Sequence, residues 1–302
     1  MKEKKIQKFI KHLRKEYLGM LFVMPVILGL VIFTFTPVFK SLYDSFHDIK
    51  RMKTSNFGFQ NYKRIFTTGR GEFLDSLSST LRYTLLSIPL TMMLSFSLAL
   101  LLNKEMRGIK FARVLCYVPV VIPTVVSGMV WKTMTFSDVS YLNLLFNKIG
   151  LPTSEFLESN KTALPTFLFM GCFGIGSGMI LWLAQLKSIP KTLYESADLE
   201  GANAWQKLFC ITIPMCTPTI FYTLITNIIG TLQVFDMAYM FRSNYNSKTL
   251  NFLVVEIHRY AFDFYELAYA SALSWMLFLI IGGMSVIVFK TSKWVYYGED
   301  FN

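Results

Sequence analysis

The sequence predicts an all-α integral membrane protein with six transmembrane helices, and three observations predict it. Hydrophobic residues make up 53% of the 302 positions and the mean hydropathy is +0.43, above the roughly 45–50% apolar share of a soluble domain. The apolar residues gather into six uncharged runs: Leu18–Phe39, Tyr83–Leu102, Val114–Trp131, Thr162–Leu186, Leu208–Phe235 and Leu267–Phe289. Each run reaches the ~17–25 residues a helix needs to cross a bilayer. Hydrocarbon also leaves every backbone N–H and C=O to be satisfied within the chain, which restricts spanning structure to helices or closed barrels. One buried soluble helix could account for one such run, but hardly for six.

The N-terminal segment KEKKIQKFIKHLRKEYLG places Ile6, Phe9 or Ile10, Leu13 and Tyr17 at helical spacing among Lys and Arg. Residues 1–17 therefore read as a basic amphipathic helix lying in the headgroup region, or as a solvated tail that only sets topology. The first apolar run is too long for the h-region of a signal peptide and no A-x-A-like site follows it, so it is expected to remain as an anchor. It forms, with its outer loop, the segment 18–79. Residues 80–289 read as a five-helix core and 290–302 as a C-terminal tail.

Six crossings place both termini on one face. If that face is cytoplasmic, the N-tail, 103–113, 187–207 and the C-tail hold 16 of the 30 Lys and Arg residues, and the loops 43–79, 136–163 and 236–266 hold 11. The bias favours cytoplasmic termini, and the short loop NKEMRGIKFAR, with four cations, weighs most. The net charge of +11 could suggest nucleic acid in a soluble protein. Here the cations flank the spans, where they meet anionic lipid headgroups, so membrane lipid is the expected partner and nucleic acid is not. In loop 136–163, YLNLLFNKIGLP predicts a short helix ended near Gly150 and Pro152. Cys116, Cys172, Cys210 and Cys216 form no C-x-x-C pair and read as small buried hydrophobes rather than metal ligands.

Between the fourth and fifth runs lies KSIPKTLYESADLEGANAWQKLFCITIP. Pro190 suits a first helical turn, and Thr192 with Glu195 has the spacing of a capping box. A helix should run to about Glu200 and be stopped by Gly201 at positive φ. Asn203 with Gln206 predicts a second start at once, and Pro214 should bend the following helix. This knuckle presents Leu193, Tyr194 and Ala197 beside Glu195, Asp198 and Glu200. Such a surface suits docking into a groove on a soluble partner, and equally suits a loop whose charges face water.

Polar groups inside the spans are the candidates for a solute pathway. Thr223, Asn227 and Thr231 recur every four residues and form one stripe, with Gln233 off it. Pro119 and Pro123 should bend the third span ahead of Thr124. Gly171, Gly174 and Gly178, with Ser177 among them, fit close helix packing as well as pathway lining. Trp131 and Trp182 could stack on a sugar or simply pack. None of the six runs holds Asp, Glu, Lys, Arg or His, which argues against an ion-coupled transporter or channel. His12, His47 and His258 are the only histidines, and neither H-E-x-x-H nor G-x-S-x-G occurs, which argues against a membrane enzyme. The phosphate loop G-x-x-x-x-G-K-[ST] is absent too, so ATP hydrolysis would belong to another chain.

The knuckle resembles the signature of binding-protein-dependent ABC importer permeases, E-A-A-x-x-x-G-x9-I-x-L-P. Glu195, Ser196, Ala197, Gly201, Ile211, Ile213 and Pro214 fall at its spacing, with Ser196 for Ala and Ile213 for Leu as departures. FGFQNYKRIF, ALLLNKEMRGIKFARVLCYVPVVIPTVVSGMVWKTM and PTIFYTLITNIIGTLQVFDMAYMF extend the likeness over nearly the whole chain. The group most resembled is the permease-one subunit of oligosaccharide and glycerol-phosphate importers, the maltose-importer-like type I family. The resemblance implies that the knuckle is a cytoplasmic coupling helix, with Glu195, Ser196, Ala197, Asp198, Glu200, Gly201, Ile211 and Pro214 serving contact with the ATPase. It implies a bacterial cell membrane location. The expected partners are a second homologous permease, two copies of an ABC ATPase carrying ATP and Mg, and an extracellular solute-binding protein. This chain itself would bind no cofactor. Aligned on the family, the sugar-site positions fall at Val120, Thr124, Met170, Phe173, Gly174, Ser177, Asn227, Gly230, Thr231 and Val234, several of them apolar here. The implied function is import of a sugar, with a non-sugar solute such as glycerol phosphate as the alternative. Asn227 and Thr231 are the foremost pathway residues, followed by Thr124, Ser177, Phe173 and Thr223.

Overall fold

In the computed structural model, residues 20–50, 53–104, 106–136, 140–243, 246 and 248–296 are described, without the side chains of 48–56. The expected amphipathic helix over residues 1–17 lies outside these. Among the described residues, four helices are long and apolar enough to cross a membrane: Met20–Ser45 (α1), Arg70–Leu102 (α3), Thr217–Phe241 and Leu267–Lys290 (α14). Two bent pairs bring the total to six if each pair is one span. The described chain is otherwise helical except for one two-stranded ribbon. The chain divides into two units, residues 1–67 with 260–275, and 68–259 with 276–302.

In the first unit, α1 has a window of mean hydropathy 2.4, none of it buried within the protein, as a lipid-facing helix requires. Pro37 follows a π turn at Val31–Phe35, where the Thr36 hydroxyl donates to the Val31 carbonyl at 2.8 Å. After α1 the chain forms the antiparallel pair β1 (His47–Lys50) and β2 (Lys53–Phe57), a ribbon the sequence did not signal. The helix α2 (Gln60–Phe66) carries the FGFQNYKRIF motif, and the structure shows what its polar residues hold. Buried Asn61 donates its amide to the Ser45 carbonyl at 3.0 Å and the His47 carbonyl at 2.9 Å, and Tyr62 shares a hydrogen bond with the Ser45 hydroxyl at 2.9 Å. Arg64 donates to Glu266 at 2.5 Å and lies 4.2 Å from the Tyr269 ring centre. Burial disfavours its charge, but the bond to Glu266 and the attraction of that carboxylate outweigh this, and the Arg64 pKa is raised. Asn61→Leu is expected to strand two carbonyls at a cost of ~1–3 kcal/mol. A thermal melt of the purified complex should register this as a lower Tm.

In the second unit, α3 is followed by α4 (Ile109–Val121) and α5 (Thr124–Thr135), which meet at 92°. Pro123 has no N–H, and steric conflict with its ring pushes Ile122 to extended backbone (φ −72°, ψ 126°). Pro119, expected to bend the path as well, lies inside α4 without interrupting it. The loop 136–163 forms α6 (Tyr141–Lys148), N-capped by Ser140 and followed by Gly150 at φ +75°, as its sequence predicts. The fourth apolar run is two helices, α7 (Ala163–Gly174, its last turn 3-10) and α8 (Gly176–Ser188), inclined at 49°. Next come α9 (Lys191–Leu199), α10 (Ala204–Lys207), a π turn over Leu208–Thr212, a short turn at Ile213–Met215, α11 (Thr217–Leu232), α12 (Asp236–Phe241) and α13 (Leu253–His258).

Two apolar cores hold this unit. One gathers Tyr83, Trp131, Phe167, Phe241 and Phe252, and the other gathers Ala99, Met179, Trp182, Leu186 and Cys216. Trp131 and Trp182 pack in these cores and also line cavities of this unit. Trp182 is fully buried and donates its indole N–H to the Ser95 hydroxyl at 3.1 Å, which ties α8 to α3.

Candidate substrate cavity and coupling segment

A cavity of about 520 Å³ lies between α3, the α7–α8 break and α11. The stripe Thr223, Asn227 and Thr231 forms its α11 wall, and Ser177 contributes from α8. No charged side chain is among its described lining residues. Ser87, Thr91 and Ser95 of α3, with Tyr222 and Thr226 of α11, add hydroxyls that were not singled out from the sequence. Those of α3 recur at helical spacing, which is the signal that could have found them.

Most of these hydroxyls spend their proton on their own helix. Thr223 donates to the Thr219 carbonyl at 2.7 Å, Thr231 to Asn227 at 2.7 Å, and Thr91 to Ser87 at 2.8 Å. Such bonds satisfy the donor inside an apolar span and leave oxygen lone pairs facing the cavity. Asn227 differs. It is half-buried, and among the described residues its amide makes no hydrogen bond, so both its donors and its acceptor are available to a guest.

The remaining candidates lie beside this cavity. Phe173 and Thr124 line a neighbouring apolar cavity of about 700 Å³, with Trp131 and Met237. Thr124 also borders a space of about 320 Å³ with Gln233 and Asp236. Gly171 and Gly174 line both larger cavities. The tightest glycine is one the sequence did not separate from its neighbours: a Cβ on Gly176 would sit 2.3 Å from the Cys116 carbonyl oxygen.

At the far end of α8 the knuckle forms. Its first helix is N-capped by Pro190, not Thr192, and no side-chain cap bond forms. Proline starts the helix two residues earlier, which leaves Thr192 inside the first turn where it cannot cap. The end matches expectation. Gly201 has φ +77°, its N–H bonds the Asp198 carbonyl at 3.1 Å, and the Ala202 N–H bonds Ala197 at 2.9 Å. This is the paired arrangement of a glycine-stopped helix. Asn203 and Gln206 then exchange both bonds of a capping box, at 2.9 and 2.7 Å. The helix after it widens into the π turn ahead of Pro214 and restarts after Cys216.

The signature residues separate into two groups. Glu195, Ser196, Asp198, Glu200 and Gly201 are exposed, and Ala197 is half-buried. Ile211 packs against the Met179–Trp182 core and Pro214 is half-buried, so these two root the segment. Tyr194 belongs with the roots: it packs on the same core and shares a hydrogen bond with Thr212 at 2.9 Å. Asp198 pairs with Lys207, whereas Glu195 and Glu200 make no ion pair among the described residues. Among the described residues the large apolar groups presented outward include Leu193, as expected, Leu199, 92% exposed, and the stacked pair Trp205 and Phe209. Among the described residues, no group of His, Cys, Asp and Glu could hold a metal ion.

No family model matches the chain. The Probable ABC transporter permease protein YesP of Bacillus subtilis (strain 168) is 32% identical over 294 residues, 95% of this chain and 94% of that protein. The chain belongs to the ABC transporter permeases. Trehalose/maltose transport system permease protein MalF of Thermococcus litoralis is 26% identical over 286 residues, 93% of this chain and 95% of MalF. A chain in the crystal structure of a bacterial alginate ABC transporter, solved with an alginate pentasaccharide-bound periplasmic protein, superposes with a TM-score of 0.84 at 22% identity, covering 94% of this chain and 96% of that one. That likeness shows a shared fold. This ABC permease is a multi-pass membrane protein, and the six runs correspond to six spans when each bent pair is taken as one.

Proposed function

We propose that this ABC permease imports a sugar, an oligosaccharide by class, across the cell membrane. The observation that carries the reading is the uncharged cavity walled by hydroxyls and one unspent amide. Sugar hydroxyls need many weak donors and acceptors rather than a charge, while the ring C–H faces accept aromatic walls. The MalF relative is a trehalose/maltose permease by name, which supports this reading. A phosphate dianion such as glycerol phosphate would need a cation that this lining does not offer.

The chain supplies the pathway and no catalysis. A separate ABC ATPase, in two copies holding ATP and Mg, docks on the segment Glu195–Gly201. A second, related permease completes the pathway, and an external binding protein delivers the solute. Both termini are cytoplasmic, on the face of the knuckle. Closure of the ATPases moves the knuckles and switches the cavity from inward- to outward-facing, where the binding protein releases its sugar.

The test is the assembled transporter in liposomes, with sugars offered through the binding protein and ATPase rate and uptake both measured. A neutral oligosaccharide should stimulate both. Stimulation by glycerol phosphate alone would overturn the sugar assignment. Asn227→Leu should lower uptake about 2- to 10-fold, the worth of one hydrogen bond, with ATPase coupling intact.

A further inference from the structure

A second large cavity, about 860 Å³, lies at the knuckle end of the helices and plays no part in the pathway above. It is formed by the turn between α3 and α4 and by the junction of α8 and α9. Six cations line it: Lys104, Arg107, Lys110, Arg113, Lys187 and Lys191. No carboxylate is among its described lining residues. Arg113 is half-buried and pinned, donating twice to the Leu102 carbonyl, at 3.1 and 2.7 Å. The other five are exposed and make no ion pair or side-chain hydrogen bond among the described residues. Beneath them the lining turns apolar, with Leu186 and Ile189 buried and Ile109 half-buried.

We infer that this groove is a site for the headgroup of an anionic phospholipid, its phosphodiester on the cations and the base of its acyl chains along Met106 and Ile109. Scattered basic residues at span ends need only meet a diffuse headgroup layer. Here six converge on one concavity with no carboxylate among its described lining residues, and like charges held together cost free energy unless an anion enters. A phosphodiester accepts several Lys and Arg donors at once. The apolar floor at the ends of two spans favours an anion that carries chains over a free one. The carboxylates of a soluble partner would satisfy the cations but leave the exposed Met106 and half-buried Ile109 of the lining uncovered. Because Lys191 and Tyr194 belong to both groove and knuckle, the lipid would tie the start of α9 to the membrane. The inference is independent of which solute is carried.

The test uses the whole transporter in nanodiscs of mixed phosphatidylglycerol and phosphatidylcholine, followed by native mass spectrometry of the lipid retained in detergent. One phosphatidylglycerol per copy of this permease should remain. R107Q/K110Q/K187Q should weaken retention roughly a hundredfold, at about fivefold per charge. K290Q/K293Q, at the end of the last span, should leave it unchanged. The charge-keeping K104R/K110R/K187R variant should retain lipid, which separates the site from any effect of charge loss on insertion. Should the triple Gln variant fail to insert, a photoactivatable phosphatidylglycerol on the wild-type complex should label peptides 104–113 or 187–194. Equal retention of phosphatidylcholine, equal loss in K290Q/K293Q, displacement by inorganic phosphate, labelling elsewhere, or crosslinks from Arg107 to the ATPase without lipid would each overturn the assignment.

Discussion

Gly201→Asp is expected to leave the permease inserted and assembled while uptake falls at least ~100-fold and ATPase activity continues without response to the loaded binding protein. The residue sits at φ +77°, where a side chain costs about 1–2 kcal/mol of backbone strain. A Cβ there would meet no atom within 4 Å. Folding therefore survives, and the damage is confined to the corner where the ATPase is proposed to rest, which acquires bulk and a charge. Glu195→Lys should produce the same separation of the two activities by reversing an exposed, unpaired carboxylate. Gly201→Asn, the side chain that best tolerates this conformation, should retain most of the uptake. Wild-type uptake in both Gly201→Asp and Glu195→Lys would remove the docking role.

Gly176→Ala should have the opposite phenotype, a failure of folding rather than of coupling. The added methyl would lie 2.3 Å from the Cys116 carbonyl oxygen and 3.1 Å from a Val120 methyl, well inside the 3.0 Å that real Cβ atoms keep from the first. A backbone carbonyl cannot rotate away, so α4 and α8 must separate, at the ~1–3 kcal/mol or more of an overpacked core. Lost yield of assembled complex on size exclusion, and a lower Tm in what remains, are the expected signs. Gly174→Ala is the control: a methyl there meets nothing within 4 Å. Equal behaviour of the two variants would contradict this packing.

Features set by solvent and by local backbone chemistry were legible in the sequence. The spans were legible because hydrocarbon demands length and freedom from charge, and these are properties of consecutive residues. Gly201, Gly150 and the Asn203–Gln206 cap were legible because each is decided within four residues of itself. Thr192 was misread because Pro190, two residues upstream, had already set the helix start. Features that depend on a distant neighbour were not legible. Gly171, Gly174, Gly176 and Gly178 are alike in sequence, and only the approach of α4 singles out Gly176. The ribbon His47–Phe57 is held in part by Asn61, beyond its own end. The α11 wall of the candidate cavity followed from its four-residue period, but the facing hydroxyls of α3 were hidden in an otherwise apolar run.

The two halves of the knuckle are locked to each other. Asp198 grips Lys207 across the glycine turn, Asn203 and Gln206 close the corner, and Tyr194 reaches Thr212. If the ATPase docks as proposed, these contacts would resist flexing at Gly201 when a push is delivered at the protruding Leu199. On that proposal the corner would act as a strut, passing displacement to the π turn and the interruption at Cys216 that precede α11. The stroke would then be delivered to the wall that carries Asn227.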